Sequence, residues 1–195
     1  TTHSSRPPRK AHPMTATAAS PSCPRPGRLL LTSAVFMAAL YAVGVASGAL
    51  GASLTREGSV GRSDTPAGVV DLFLHNSLVL ALLGIGIVTA GLATGAQMLL
   101  NGTVLGWVVG KSLQTGTASD LLTGVLPHVF PEVAAYAVGG GASAALGLTL
   151  IARRRAVDRP WLSVTWRDWL RWQAIAVGLL ALAAAIEGIV SHVPA

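Results

Sequence analysis

From Pro127 to Gly147 the chain reads Pro-His-Val-Phe-Pro-Glu-Val-Ala-Ala-Tyr-Ala-Val-Gly-Gly-Gly-Ala-Ser-Ala-Ala-Leu-Gly. His128 and Glu132, bracketed by Pro127 and Pro131, lead into an apolar run that stops at Arg153-Arg154-Arg155. Ionisable groups at the mouth of such a run are costly in hydrocarbon, so they need a local partner, a wet cavity or a task. The run predicts a helix over 132–151, the length needed to cross a ~30 Å hydrocarbon core at 1.5 Å per residue.

The same pattern recurs on either side. Apolar residues make up 51% of the chain and charged residues only 11%, against roughly a quarter charged in a soluble domain. The charges are clustered and leave windows long enough to span a bilayer. The predicted class is therefore all-α, an integral membrane helical bundle with about five transmembrane helices. The spans fall at 29–50, 72–94, 96–112, 132–151 and 173–190. Residues 72–109 as one helix would measure ~57 Å, so a turn is expected near Gly91 to Gly95. Residues 1–28 are rich in Pro, Ser, Thr and Arg and predict a disordered basic tail ahead of a membrane domain at 29–195. Met14 is a candidate internal start, which would make the first 13 residues dispensable. A cleaved signal peptide competes for the first run, but a signal's apolar core is typically 7–15 residues long and this run is longer. A retained anchor is the expectation.

Charge sets the orientation. Arg6, Arg9, Lys10, Arg25 and Arg28 precede the first span, and Arg153, Arg154, Arg155, Arg159, Arg167 and Arg171 follow the fourth. Lys and Arg concentrate on the cytoplasmic side, so an even number of spans must separate the two groups. Four do. The expected topology in a bacterial cell membrane has the N-terminus in the cytoplasm and the C-terminus outside.

Residues 160–172 carry Trp161, Trp166, Trp169 and Trp172 together with Arg167 and Arg171. Tryptophan prefers the headgroup layer and arginine attracts anionic lipid, which predicts an interfacial helix on the cytoplasmic leaflet. A docking surface for a cytoplasmic partner is the alternative.

The formal net charge of +6 does not imply nucleic acid, because the basic residues flank apolar spans. The single cysteine, Cys23, excludes an internal disulfide; it reads as a tail thiol, with palmitoylation the alternative. No Walker loop, His-Glu-x-x-His helix, Cys/His cluster or Ser-His-Asp signature is present. No cofactor, metal or catalytic residue is expected.

Given this topology, His75 and Asn76, His128 and Glu132, and Glu187 all approach the outer side, with His192 just beyond. Three roles compete for this set: mutual satisfaction that fixes helix packing, a partner or substrate site, and catalysis or metal binding. Gly102, Gly106 and Gly110 at four-residue spacing, with Gly91 and Gly95 before them, allow close helix approach. Packing inside the bundle is the first reading of these glycines, and a homo-oligomeric interface the second.

These residues resemble the stage II sporulation protein M family of bacterial membrane proteins. The family's hallmark is Leu-Pro-His-Gly with a Glu three residues further on, then small and apolar residues ending near Leu-Gly. The chain has Leu126-Pro127-His128-Val129-Phe130-Pro131-Glu132 and closes at Leu146-Gly147. His75-Asn76, Asn101-Gly102 with Gly106, and Ile186-Glu187 match further elements, so the resemblance covers roughly residues 30–190. Val129 replaces the usual Gly, Pro131 an apolar residue, Ala134 a common Pro and Ala145 a frequent Arg, which marks a distant member. The resemblance implies a non-enzymatic membrane component with other membrane or cell-envelope proteins as partners. The namesake joins two peptidoglycan-degrading partners. Relatives in circular-bacteriocin clusters imply a role in maturation, export or immunity as the alternative. An intramembrane metal-dependent hydrolase is the weakest reading.

Overall fold

A computed structural model describes residues 26–55, 69–117, 119, 121–155 and 162–190. Among them the chain is almost wholly helical and contains no strand: α1 (Pro26–Leu54), α2 (Val69–Leu83), α3 (Leu92–Thr115), α4 (Leu126–Arg154) and α5 (Trp166–Val190). Tyr41, Val45 and Ala49 of α1 meet Gly102, Gly106 and Gly110 of α3 in that order, so these helices run parallel. Leu80, Leu83 and Ile87 likewise follow Gly139, Gly140 and Gly147 of α4. Gln173 meets Gly139, and Glu187 meets His128, so α5 runs antiparallel to α4. The bundle is thus an up-and-down array in which α1, α3 and α5 share one direction.

The centre of the array is α4. Its apolar window is 72% buried against 22–28% for the other three long helices. Small residues make this possible, because Gly139, Gly140, Gly141, Ala142, Ala144, Ala145 and Gly147 let neighbouring helices approach the backbone closely. Large apolar side chains such as Leu31, Val35 and Phe36 on α1 and Leu74 and Leu78 on α2 point outward. In water such a surface would aggregate; in a bilayer it is the lipid face.

Four helices are each long and apolar enough to cross a membrane. The fifth, α2, has only 15 residues and is continued by a four-residue 3-10 helix, Gly84–Ile87. At 1.5 and 2.0 Å per residue the two pieces together reach ~30 Å, the thickness of the hydrocarbon core. The span predicted to run to Thr94 therefore ends at Ile87. Its turn occupies Val88 to Gly91, where Ala90 (φ 52°) and Gly91 (φ 90°) adopt left-handed backbone. Gly91 supplies that conformation cheaply. Thr94 already belongs to α3, and its hydroxyl donates to the Leu83 carbonyl (2.8 Å), which ties the start of α3 to the end of α2.

Other boundaries differ for local reasons. Pro26 to Arg28, expected in the tail, form the first turn of α1; proline is well suited to a helix start. Residues 1–25 lie outside the described residues. Leu113 to Thr115, expected beyond the third span, are the end of α3. Lys111 is only 2% exposed and its ammonium donates to the Thr55 carbonyl, while Gln114 Nε2 donates to Ala52 O (2.8 Å). These side chains satisfy the last carbonyls of α1 and place a cation at its negative end. A π-helical turn, Leu121–Val125, leads into α4, which begins at Leu126 rather than Glu132. Pro127 sits in the first turn, where its missing N–H costs nothing; Pro131 lies inside and deprives the Pro127 carbonyl of its donor.

Among the described residues of the segment 160–172, no separate interfacial helix precedes α5. Residues 162–165 are non-helical and Trp166 to Trp172 are the first turns of α5 itself. A capping box starts the helix: Thr165 Oγ1 receives the Asp168 N–H (3.2 Å), while the Asp168 carboxylate accepts from the Thr165 N–H (3.0 Å) and hydroxyl (2.7 Å). Trp169 Nε1 and Gln173 Nε2 then each donate to Ser143 Oγ at 3.1 Å, fixing these turns upright against α4. Replacing Ser143 with Ala removes the acceptor shared by two half-buried donors. We expect a loss of about 1–2 kcal/mol in unfolding by sodium dodecyl sulfate in mixed micelles. Adding Trp169→Phe should cost less in that background than alone.

Candidate functional site

The five helices alternate, so Arg28, Arg153, Arg154, Arg155, Arg167 and Arg171 gather at one end of the bundle, and the histidines and glutamates of the described residues at the other. His128 lies in the opening turns of α4. Glu132 and Tyr136 follow at four-residue steps, so all three share one face of the helix. Glu187 comes from the last turns of the antiparallel α5, with its Oε2 3.8 Å from His128 Nε2. Tyr136 donates its hydroxyl to the Glu132 carboxylate. Glu132 also lies within electrostatic reach of His128, Glu187, His75 of α2 and Tyr41 of α1.

The cluster is sunk but open at its rim. The His128 and Glu187 side chains are 12% and 26% exposed, and Tyr41 and Tyr136 are buried. His128 Nδ1 is buried with no hydrogen-bond partner. Acceptors therefore outnumber donors, for the two carboxylates face a single imidazole and the Tyr136 hydroxyl. Among the described residues no group of three His, Cys, Asp or Glu stands close enough to hold a metal ion.

The structure brings His128, Glu132 and Glu187 together. It places His75 on an exposed face of α2, near enough to act on Glu132 by charge only, and Asn76 on the buried side. Gly102 and Gly106 face the carbonyls of Tyr41 and Val45, and Gly110 faces Ala49 and Ala52; Gly91 abuts Ala144 and Gly95 abuts Leu40. Trp166 stacks edge-on against Trp169 and is 53% exposed, whereas Trp169 and Trp172 pack partly into the core beside Leu146 and Val164. Arg167 and Arg171 are exposed. Trp161 and His192 lie outside the described residues.

Sequence reasoning missed Tyr136 and Tyr41, which complete the cluster, and the Ser143–Trp169–Gln173 network. For Tyr136 a signal existed, its four-residue spacing from Glu132 on a predicted helix. Tyr41 carried none, because only the packing of α1 on α4 brings it near.

Long apolar helices, outward-facing aliphatic side chains and a polar cluster held among the helix ends define a polytopic α-helical membrane protein. The chain belongs to a particular family of them: the family model for stage II sporulation protein M matches residues 31–192. Neither a curated protein nor a solved structure matches the chain.

Proposed function

We infer that this chain is a non-catalytic component of the bacterial cell membrane that holds partners of a cell-envelope, peptidoglycan-remodelling complex. The carrying observation is the cluster of His128, Glu132 and Glu187, drawn from two antiparallel helices at the end of the bundle opposite the arginines. A bundle stabilised by lipid-facing packing alone has no need of two carboxylates there; a docking site for an extracytoplasmic partner does. The positive-inside rule puts the arginine end in the cytoplasm and the cluster at the outer surface. Membership of the family supports a membrane protein of this kind.

Two measurements test it. With Cys23 replaced by Ser, a cysteine at position 64 should react with an impermeant maleimide on intact cells, and one at position 158 only after lysis. The reverse pattern would put the cluster in the cytoplasm and end the proposal. A photo-crosslinking residue at Phe130, 71% exposed at the same end of α4 as the cluster, should capture peptidoglycan-processing envelope proteins from the native membrane. Glu132→Gln with Glu187→Gln should abolish that capture while the protein still elutes as a folded species. Undiminished capture by the double variant would remove the cluster from the interface.

A further inference from the structure

The α2–α3 turn stops short of the arginine end of the bundle. Gly147 of α4 abuts Ile87 and Ala90 at that turn, and α4 then runs on for about two more turns to Arg154. On the other side, the first glycine of α3 to meet α1 is Gly95, against Leu40. The turns of α1 before Leu40 therefore form one wall of a cleft of about 320 Å³, within the range of pockets that take small ligands. Leu29, Phe36 and Met37 line it from α1, Leu92 from the start of α3, and Ala144 and Leu148 from α4. No ionisable side chain lines it. Phe36, Leu92 and Leu148 are exposed, so the cleft opens sideways onto the lipid face.

Both long walls lead to positive charge. Thr32 also lines the cleft, and its hydroxyl donates to the Arg28 carbonyl (2.8 Å), four residues back. Arg28 thus stands one turn further along the same face of α1. Leu148 and Arg155 are seven residues apart, two turns of one face or ~10 Å. The Arg155 N–H still donates to the Ile151 carbonyl (3.1 Å), so the helical path reaches it. Both arginines are exposed. An occupant that matches this arrangement has an apolar stem and a negative group at one end.

We propose that the cleft holds an acyl chain of an anionic phospholipid from the leaflet at the arginine end, with the headgroup phosphate at Arg28 and Arg155. The guanidinium fork suits phosphate oxygens, and the long arginine side chain reaches the headgroup layer while its stem covers apolar surface. A zwitterionic phospholipid offers the same tail but carries an ammonium that offsets the phosphate charge. This site is independent of the docking role assigned to the opposite end.

The full chain carrying Cys23→Ser and Leu92→Cys is labelled with bimane and placed in phosphatidylcholine nanodiscs. Phosphatidylglycerol or phosphatidylcholine with a nitroxide on the acyl chain is then titrated in. Quenching by the anionic lipid should saturate, at a mole fraction roughly tenfold lower than for the zwitterionic one. Arg28→Gln with Arg155→Gln should remove that preference, whereas Arg167→Gln with Arg171→Gln, at the same end on α5, should retain it. Thr32→Phe, which fills the cleft, should leave only the unsaturable quenching by bulk lipid. The lipid comparison needs no variant of these residues, so it stands even if one fails to fold. Equal quenching by the two lipids overturns the proposal and leaves an ordinary lipid face. A preference lost equally in the Arg167 and Arg171 double variant reduces it to a general attraction of the basic end and overturns the site, as does saturable quenching unchanged by Thr32→Phe. A label that neither lipid quenches also overturns it; disulfide linkage between unlabelled Leu92→Cys chains would then assign the cleft to a second copy.

Discussion

Gly106→Ala should destabilise the bundle by more than about 2 kcal/mol, and Gly106→Val should prevent α1 and α3 from pairing at all. A methyl group at this position would overlap the Val45 carbonyl oxygen and crowd its carbonyl carbon and Cα. These are backbone atoms and cannot rotate away, so the helices must separate. The neighbouring contacts at Gly102 against Tyr41 O, and at Gly44 and Gly48 against Leu99 O and Thr103 O, would be lost with it. Gly178→Ala on α5 is the control, because nothing lies within 4 Å of its added methyl. There the same substitution should be neutral or stabilise by about 0.5–1 kcal/mol through backbone entropy. Unfolding by sodium dodecyl sulfate in mixed micelles reads both. Equal effects at the two positions would mean that α1 and α3 do not pack as described.

The second large effect is expected at the joint between α1 and the central helix. A methyl group on Gly141 would lie 2.6 Å from Ala34 N and 2.7 Å from Ala34 Cα, again backbone. On the adjacent Gly140 it would meet Thr94 Cγ2 at 2.7 Å, the end of a side chain. Gly141→Ala should therefore cost about 2–3 kcal/mol or more, and Gly140→Ala less, since it meets the end of one side chain rather than the backbone of a neighbouring helix. Disulfide trapping between cysteines placed at Ala34 and Ala142 gives an independent reading. It should slow markedly in Gly141→Ala and little in Gly140→Ala. A larger loss at Gly140 would overturn the assignment of Gly141 as the closest approach.

Much of this architecture is legible in the sequence. The apolar windows and the charge clusters required a helical membrane bundle, since hydrocarbon leaves backbone groups no partner except within the helix. Parity of the arginine groups required an even count of helices between them, and four are found. The Pro127-His128 to Glu132 element pointed to the family that the comparison established. Boundaries were less legible. The 3-10 continuation of α2 and the upright first turns of α5 each depend on a side-chain contact between elements, Thr94 to Leu83 and Trp169 to Ser143, while the early start of α4 follows the π turn before Leu126. An amphipathic Trp/Arg segment looks the same whether it lies on a leaflet or begins a span.

Sequence by itself determined the class, the number of helices and which polar residues share an end, because the cost of burying charge and backbone in hydrocarbon applies to each segment independently. Only the tertiary structure decided which helix is central, which glycines meet backbone and which face open space, and that His128 meets Glu187 while Tyr136 meets Glu132. Those outcomes depend on the rotation and pairing of whole helices. A periodic run of small and apolar residues permits several pairings, and the close backbone contacts of the folded bundle select one.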